Sequence, residues 1–242
     1  MTASEPLIID AVCGESERPV FAAACIQLGR CLGGGGTPGD WPIRLRLHDS
    51  ISSLDADGKP AVILLSLIGE VARDEPIEQT KARWQTLLSH LAENSVPQIF
   101  LCTVFRHVAN SGSRQGRDAL RPLERIRRIN LMAAHLSHDL GINVIDIDRS
   151  LAHIGARALG TDYRLAGRAA AEVAGCAIMM GLLDVGLDDA IAADVLGRAR
   201  ERHRTSGGML KVLASSLGQR GGQTDNNGHT GDLAVDVVDP SV

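Results

Sequence analysis

Short apolar runs alternate along this chain with longer stretches whose apolar residues recur at helical spacing. Residues 7–12 (LIIDAV) predict a strand. Residues 19–32 follow as a mostly buried helix, with Val20, Ala23, Ala24, Ile26 and Leu28 among its apolar positions. The glycine-rich stretch 33–39 (GGGGTPG) reads as a flexible connection. Residues 44–48 (RLRLH) alternate with period two, which predicts a half-exposed strand near a sheet edge. The continuous apolar run 61–68 (AVILLSLI) suits a central parallel strand buried on both faces, and 98–105 (QIFLCTVF) suits another. An amphipathic helix over 77–93 separates them, with Trp84, Leu87, Leu88 and Leu91 on one face. A second such helix is predicted over 120–140, closed by Gly141, then a strand at 142–147 (INVIDI) and an Ala-rich helix at 165–183.

Strands alternating with helices predict an α/β fold. The expected form is a three-layer α/β/α sandwich around a mostly parallel, doubly wound sheet with right-handed crossovers, flavodoxin-like in kind. The main domain is expected over 1–186 and one further amphipathic helix over 187–206. The stretch 207–242 is rich in Gly, Asn, Ser and Asp and reads as a disordered tail. Leu210, Leu213 and Leu217 form a short helical island in it that a protein partner could order.

Composition narrows the function classes. The chain has 242 residues, 44% hydrophobic and 22% charged, as in ordinary globular proteins. Its formal net charge of −4 gives no basic excess, so nucleic acid is not an expected partner. Six aromatic residues (Phe21, Trp41, Trp84, Phe100, Phe105 and Tyr163) are too few for a stacking platform. The N-terminal residues show no basic-then-apolar signal pattern, and no apolar run approaches the roughly 20 residues that span a bilayer. The five cysteines form no C-x-x-C pair and read as reduced thiols. A cytoplasmic protein is the expectation.

In a doubly wound parallel sheet, sites lie beyond the carboxyl ends of the strands. There the most informative residues are Cys13-Gly14-Glu15-Ser16, which follow the first strand and precede the first helix. A serine at a helix N-terminus can be a nucleophile whose oxyanion the backbone N–H groups stabilise. It can equally be a plain N-cap. His107 and His153 follow later strands on the same edge and are the candidate bases, each also readable as a solvated loop histidine. No metal-binding spacing occurs, and the GGGG run follows a helix and lacks Gly-Lys-Ser/Thr. Neither a metal nor another cofactor is therefore expected.

Gly14-Glu15-Ser16 after a first strand resembles the Gly-Asp-Ser block of the SGNH/GDSL hydrolases. The layout is similar further on. A buried strand leads to Gly69, a later helix carries Asn130, and Asp162-Tyr163-Arg164-Leu165-Ala166-Gly167 opens the last helix, where the family has its Asp-x-x-His block. The resemblance spans about residues 7–183. It implies Ser16 as nucleophile, Asp162 as the acid, and the N–H groups of Ser16 and Gly69 as oxyanion donors. It also implies a serine esterase or deacylase, with an acylated carbohydrate or polysaccharide as the expected substrate. The chain departs from the pattern in four places. Glu15 replaces Asp, no glycine follows the second strand, and Glu70 follows Gly69 where an Asn is expected. No His stands near Asp162, and Arg164 cannot serve as a base at neutral pH. The alternative these departures leave open is a catalytically degenerate SGNH-fold binding or accessory protein.

Overall fold

The computed structural model describes residues 5–34, 41–54, 59–93, 98–108, 117–154, 159–205, 208, 211, 212, 214 and 236–238. The strands are β1 (Leu7–Val12), β2 (Ile43–His48), β3 (Val62–Ser66), β4 (Gln98–Cys102), β5 (Asn143–Ile145) and β6 (Asp236–Val238). The helices are α1 (Arg18–Gly33), α2 (Ile77–Glu93), α3 (Arg117–Leu140), α4 (Ile147–Ala152), α5 (Arg168–Val185) and α6 (Ala193–Thr205). The strands form one sheet in the order β5-β4-β3-β1-β2-β6, and every pair is parallel. This is the doubly wound topology that the alternation of runs predicts.

The two faces of the sheet carry separate cores. Val20, Phe21 and Leu28 of α1, Val173 and Ile178 of α5, and Leu196 of α6 pack on one face. Trp84 and Leu88 of α2 and Ile126, Ile129 and Leu136 of α3 pack on the other. Burial on both sides explains why β3 and β4 read as unbroken apolar runs. The strands are shorter than expected. The 61–68 run leaves the sheet at Ser66 and turns into a 3-10 segment at Ile68–Val71. The 142–147 run stops at Ile145, because Asp146 caps α4 by accepting a hydrogen bond from the Arg149 N–H at 2.9 Å.

The expected tail, 207–242, falls mostly outside the described residues, as does most of the glycine-rich connection. Among the tail's described residues, Val212 packs against the core on the α1 and α5 face, and Asp236–Val238 runs parallel to β2 with Arg44 opposite Asp236. Helix α6 closes over the end of α1, where Arg202 donates to the carbonyls of Cys31 (3.1 Å) and Leu32 (3.2 Å). Among the described residues no helix is long and apolar enough to cross a membrane.

All five cysteines are free. Burial pushes the Cys13, Cys25 and Cys176 thiols up to about 12 and raises Cys102 as well. Cys31 is half-buried, and Arg202 partly offsets the effect of its burial. Ellman's reagent is therefore expected to titrate Cys31 well before the other four in the native protein, and all five at one rate in denaturant.

Candidate functional site

In this sheet β1 lies between β3 and β2, so the winding reverses beside its carboxyl end. That is where a crevice is expected. The Cys13 N–H extends the ladder by donating to the His48 carbonyl at 3.0 Å. The chain then turns through a 3-10 segment, Glu15–Glu17, before α1 begins at Arg18. Gly14 occupies the N-cap of that segment and Glu17 the N-cap of α1, so Ser16 caps neither. Ser16 is exposed.

Beside this turn opens a cavity of about 330 Å³. It is bounded by Cys13, Gly14 and Glu17 beyond β1, Asp49–Ser52 beyond β2, Ser66 at the end of β3, Gly69 and Glu70 beyond it, and Trp84 and Leu87 of α2. Gly69 therefore sits on the same crevice as the β1 turn, as the sequence implies. Ser16 is not among the lining side chains. The interior position belongs to Glu17, which is only 4% exposed. Its Oε2 accepts from the Gly14 N–H at 3.2 Å, and its Oε1 accepts a short hydrogen bond from the Ser66 hydroxyl. Ser66 Oγ accepts in turn from the Ile68 N–H at 3.1 Å.

Burial raises the Glu17 carboxyl above its ordinary range, while the Ser66 and Gly14 hydrogen bonds oppose the shift. The folded state therefore holds this proton to higher pH than the unfolded chain. Stability linked to Glu17 is fully present below the ordinary glutamate value and is lost as pH rises through the folded one. A Glu17→Gln variant is expected to lose less stability than wild type between pH 4 and 7, read as the difference in Tm across that range.

The other expected residues follow β4 and β5. The Tyr163 N–H donates to the His107 carbonyl at 2.7 Å, which ties the loop after β4 to the Asp162–Gly167 segment. Asp162 faces Arg164: its Oδ1 accepts from the Arg164 N–H at 3.0 Å, and its Oδ2 lies 3.9 Å from Nη1. Leu165 has φ +55° and Gly167 φ +96°, so this segment is held in a left-handed turn, with the Leu165 side chain buried. His107 is half-buried and His153 exposed. Among the described residues no histidine hydrogen-bonds to Ser16. The Asn130 amide is fully engaged with the Val104 backbone, accepting from its N–H (2.8 Å) and donating to its carbonyl (2.7 Å). Asp148 likewise braces the loop after β4 by accepting from the Arg106 N–H at 2.8 Å and pairing with the guanidinium Nε at 2.5 Å.

A further group of polar residues lies buried between β1 and β2. Asp10, 1% exposed in the middle of β1, pairs with Arg46 directly across in β2, with Nε 2.5 Å from Oδ1 and Nη2 2.7 Å from Oδ2. His48 is 4% exposed, and its Nε2 lies 3.4 Å from Asp10 Oδ1. The signal was present, since Asp10 is the one charge in LIIDAV and RLRLH alternates Arg44, Arg46 and His48 onto one side. Among the described residues no group of three His, Cys, Asp or Glu side chains is placed to hold a metal ion.

Neither a protein-family model nor a curated protein matches the sequence. The fold does have solved counterparts. The chain is similar to the lipase/acylhydrolase from Enterococcus faecalis, with 15% identity and a TM-score of 0.52 over 72% of this chain and 94% of that one. It is also similar to a protein described as a GDSL-like lipase from Parabacteroides merdae ATCC 43184, with 12% identity and a TM-score of 0.50 over 72% and 93% of the two chains. The chain thus has the SGNH/GDSL hydrolase fold, the three-layer sandwich to which its sequence layout points.

Proposed function

We propose that this chain is a binding or accessory protein built on the SGNH hydrolase frame, with the cavity between the ends of β1 and β3 as its ligand site. The observation that carries this reading is the wiring of the strand ends. A serine nucleophile needs a base within hydrogen-bond reach. Here no described histidine meets Ser16, and Asp162 is engaged by Arg164. Asn130 spends its amide on Val104. The cavity interior is given to Glu17 and Ser66 instead. A polar ligand, not a nucleic acid, fits such a site. The C-terminal segment would supply a protein contact, and the cytoplasm is the proposed location.

A second reading rests on Ser16 itself, exposed beyond the carboxyl end of β1 at the entry to α1, where a nucleophile would be presented to an ester. On that reading the protein is a serine esterase or deacylase acting on acylated carbohydrate. Asp162 is its acid, His107 or His153 moves in as its base, and the Ser16 and Gly69 N–H groups hold the oxyanion. An aryl acetate assay separates the two. The binding reading expects wild-type turnover at the background rate, unchanged in Ser16→Ala, His107→Ala and His153→Ala. The esterase reading expects turnover that falls by about 1,000-fold or more in Ser16→Ala. Neither reading expects Ser16→Ala to change stability by more than about 0.5 kcal/mol, because Ser16 is an exposed side chain and not a cap.

A further inference from the structure

Charge matching in the β1–β3 cavity narrows the class of ligand, and this step rests on the binding reading above. Six charged residues other than Glu17 border the cavity or pair with those that do, three acidic (Asp49, Glu70, Glu75) and three basic (Arg18, Arg73, Arg83), and each is ion-paired within the set. Glu70, itself buried, is held by Arg83 at 2.5 Å and by Arg73 at 3.2 Å. Asp49 is held by Arg18 at 3.2 Å. Glu17 is different. It is as deeply buried as Glu70, yet among the described residues its carboxyl has hydrogen bonds from Ser66 and Gly14 and no cation within ion-pair distance. A buried carboxylate without a counterion is costly, and a pocket that keeps one is complementary to a cation brought from outside.

A second observation at the same cavity is independent of the first. Trp84 lines it and is 4% exposed, and its indole N–H is buried with no hydrogen-bond partner among the described residues. Native proteins rarely leave such a donor unsatisfied, and Trp Nε1 can only donate. What it lacks is an oxygen acceptor. The indole face is also a favourable neighbour for an organic cation. At about 330 Å³ the space lies at the small end of ligand pockets.

We infer that the cavity takes a small organic ammonium compound, with the ammonium on Glu17 and the Trp84 indole among its walls. The ammonium supplies the missing positive charge, and Ser50 and Ser52 add hydroxyls to the cavity wall.

Ethanolamine is the probe, titrated at neutral pH into the full chain and followed by NMR with backbone amides and glutamate carboxyl carbons labelled. The inference expects a saturable shift of the Glu17 carboxyl carbon, together with the Gly14 and Ser66 amides and the Trp84 indole N–H. Glu17→Gln, which keeps the side-chain shape, is expected to weaken binding at least about tenfold, the usual effect of losing a hydrogen bond to a charged partner. Trp84→Phe is expected to weaken it less. Ethylene glycol, which has the oxygen without the charge, is expected not to saturate. Binding of ethanolamine that does not saturate, or that survives Glu17→Gln unchanged, overturns the inference. Glycol binding as tightly as ethanolamine also overturns it, while leaving the cavity a ligand site. The wild-type carboxyl shift decides the matter even if Glu17→Gln fails to fold. Ester turnover dependent on Ser16 would instead remove the binding reading itself.

Discussion

Replacing Asp10 by alanine is expected to cost about 3 kcal/mol of folding stability, near the lower end of the range for breaking a buried ion pair. The Asp10 carboxylate is 1% exposed and receives both the Nε and Nη2 hydrogen bonds of Arg46, at 2.5 and 2.7 Å. Its removal leaves a guanidinium whose side chain is 18% exposed, and so only partly able to recruit water. It also leaves the buried His48 ring without its nearest carboxylate, 3.4 Å away, and neither ring nitrogen has a hydrogen-bond partner among the described residues. For a domain of this size the loss corresponds to roughly 6–12 °C in Tm. The compensated double variant Asp10→Leu with Arg46→Met removes both charges at once and is expected to recover most of the loss, because the penalty comes from the orphaned partner. Thermal unfolding of the single and double variants checks this. Equal destabilisation of both would mean that the pair contributes through packing and not through charge.

Gly175→Ala is expected to destabilise by about 2 kcal/mol even though alanine is the better helix former by about 1 kcal/mol. Gly175 lies in the middle of α5 where that helix crosses α1. A Cβ placed there would stand 2.8 Å from the Ala24 backbone nitrogen, 2.9 Å from the Ala23 Cβ and 3.0 Å from the Val20 carbonyl oxygen. Those neighbours are largely backbone, so the helices must move apart to admit a methyl group. Gly197 in α6 is the control: a Cβ there meets nothing within 4 Å. Gly197→Ala is therefore expected to stabilise by about 0.5–1 kcal/mol through helix propensity alone. Chemical denaturation of the two variants should give changes of opposite sign. Two changes of the same sign would contradict the close α1–α5 contact.

The sheet and its helices were legible because their physics is local and repetitive. AVILLSLI and QIFLCTVF are apolar on both faces because helices cover both sides, and the α3 stripe through Ile126, Ile129 and Leu136 repeats at helical spacing. Strand ends were less legible. Ile147 continues the apolar pattern of INVIDI, yet Asp146 caps a helix there, and capping competes with extension on equal terms in sequence. The placement of Gly69 beside the β1 turn was also readable, since both lie at carboxyl ends of adjacent parallel strands. Which residue of Glu15-Ser16-Glu17 faces the cavity was not. A single 3-10 turn exposes Ser16 and buries Glu17, and that choice depends on Ser66 from β3, a partner 49 positions away that no local pattern reveals. The Asp10–Arg46 pair escaped for a similar reason. A charge in a buried strand has meaning only once the register sets its partner across from it.

On the proposed reading the chain has the hydrolase fold without a working serine nucleophile. Labelling with a fluorophosphonate serine probe tests it most directly, because the probe reports nucleophilic activation without requiring the natural substrate. The wiring of the strand ends predicts no labelling of the folded wild-type protein above that of Ser16→Ala. Stoichiometric labelling of wild type that Ser16→Ala abolishes would contradict this reading and establish Ser16 as an activated nucleophile.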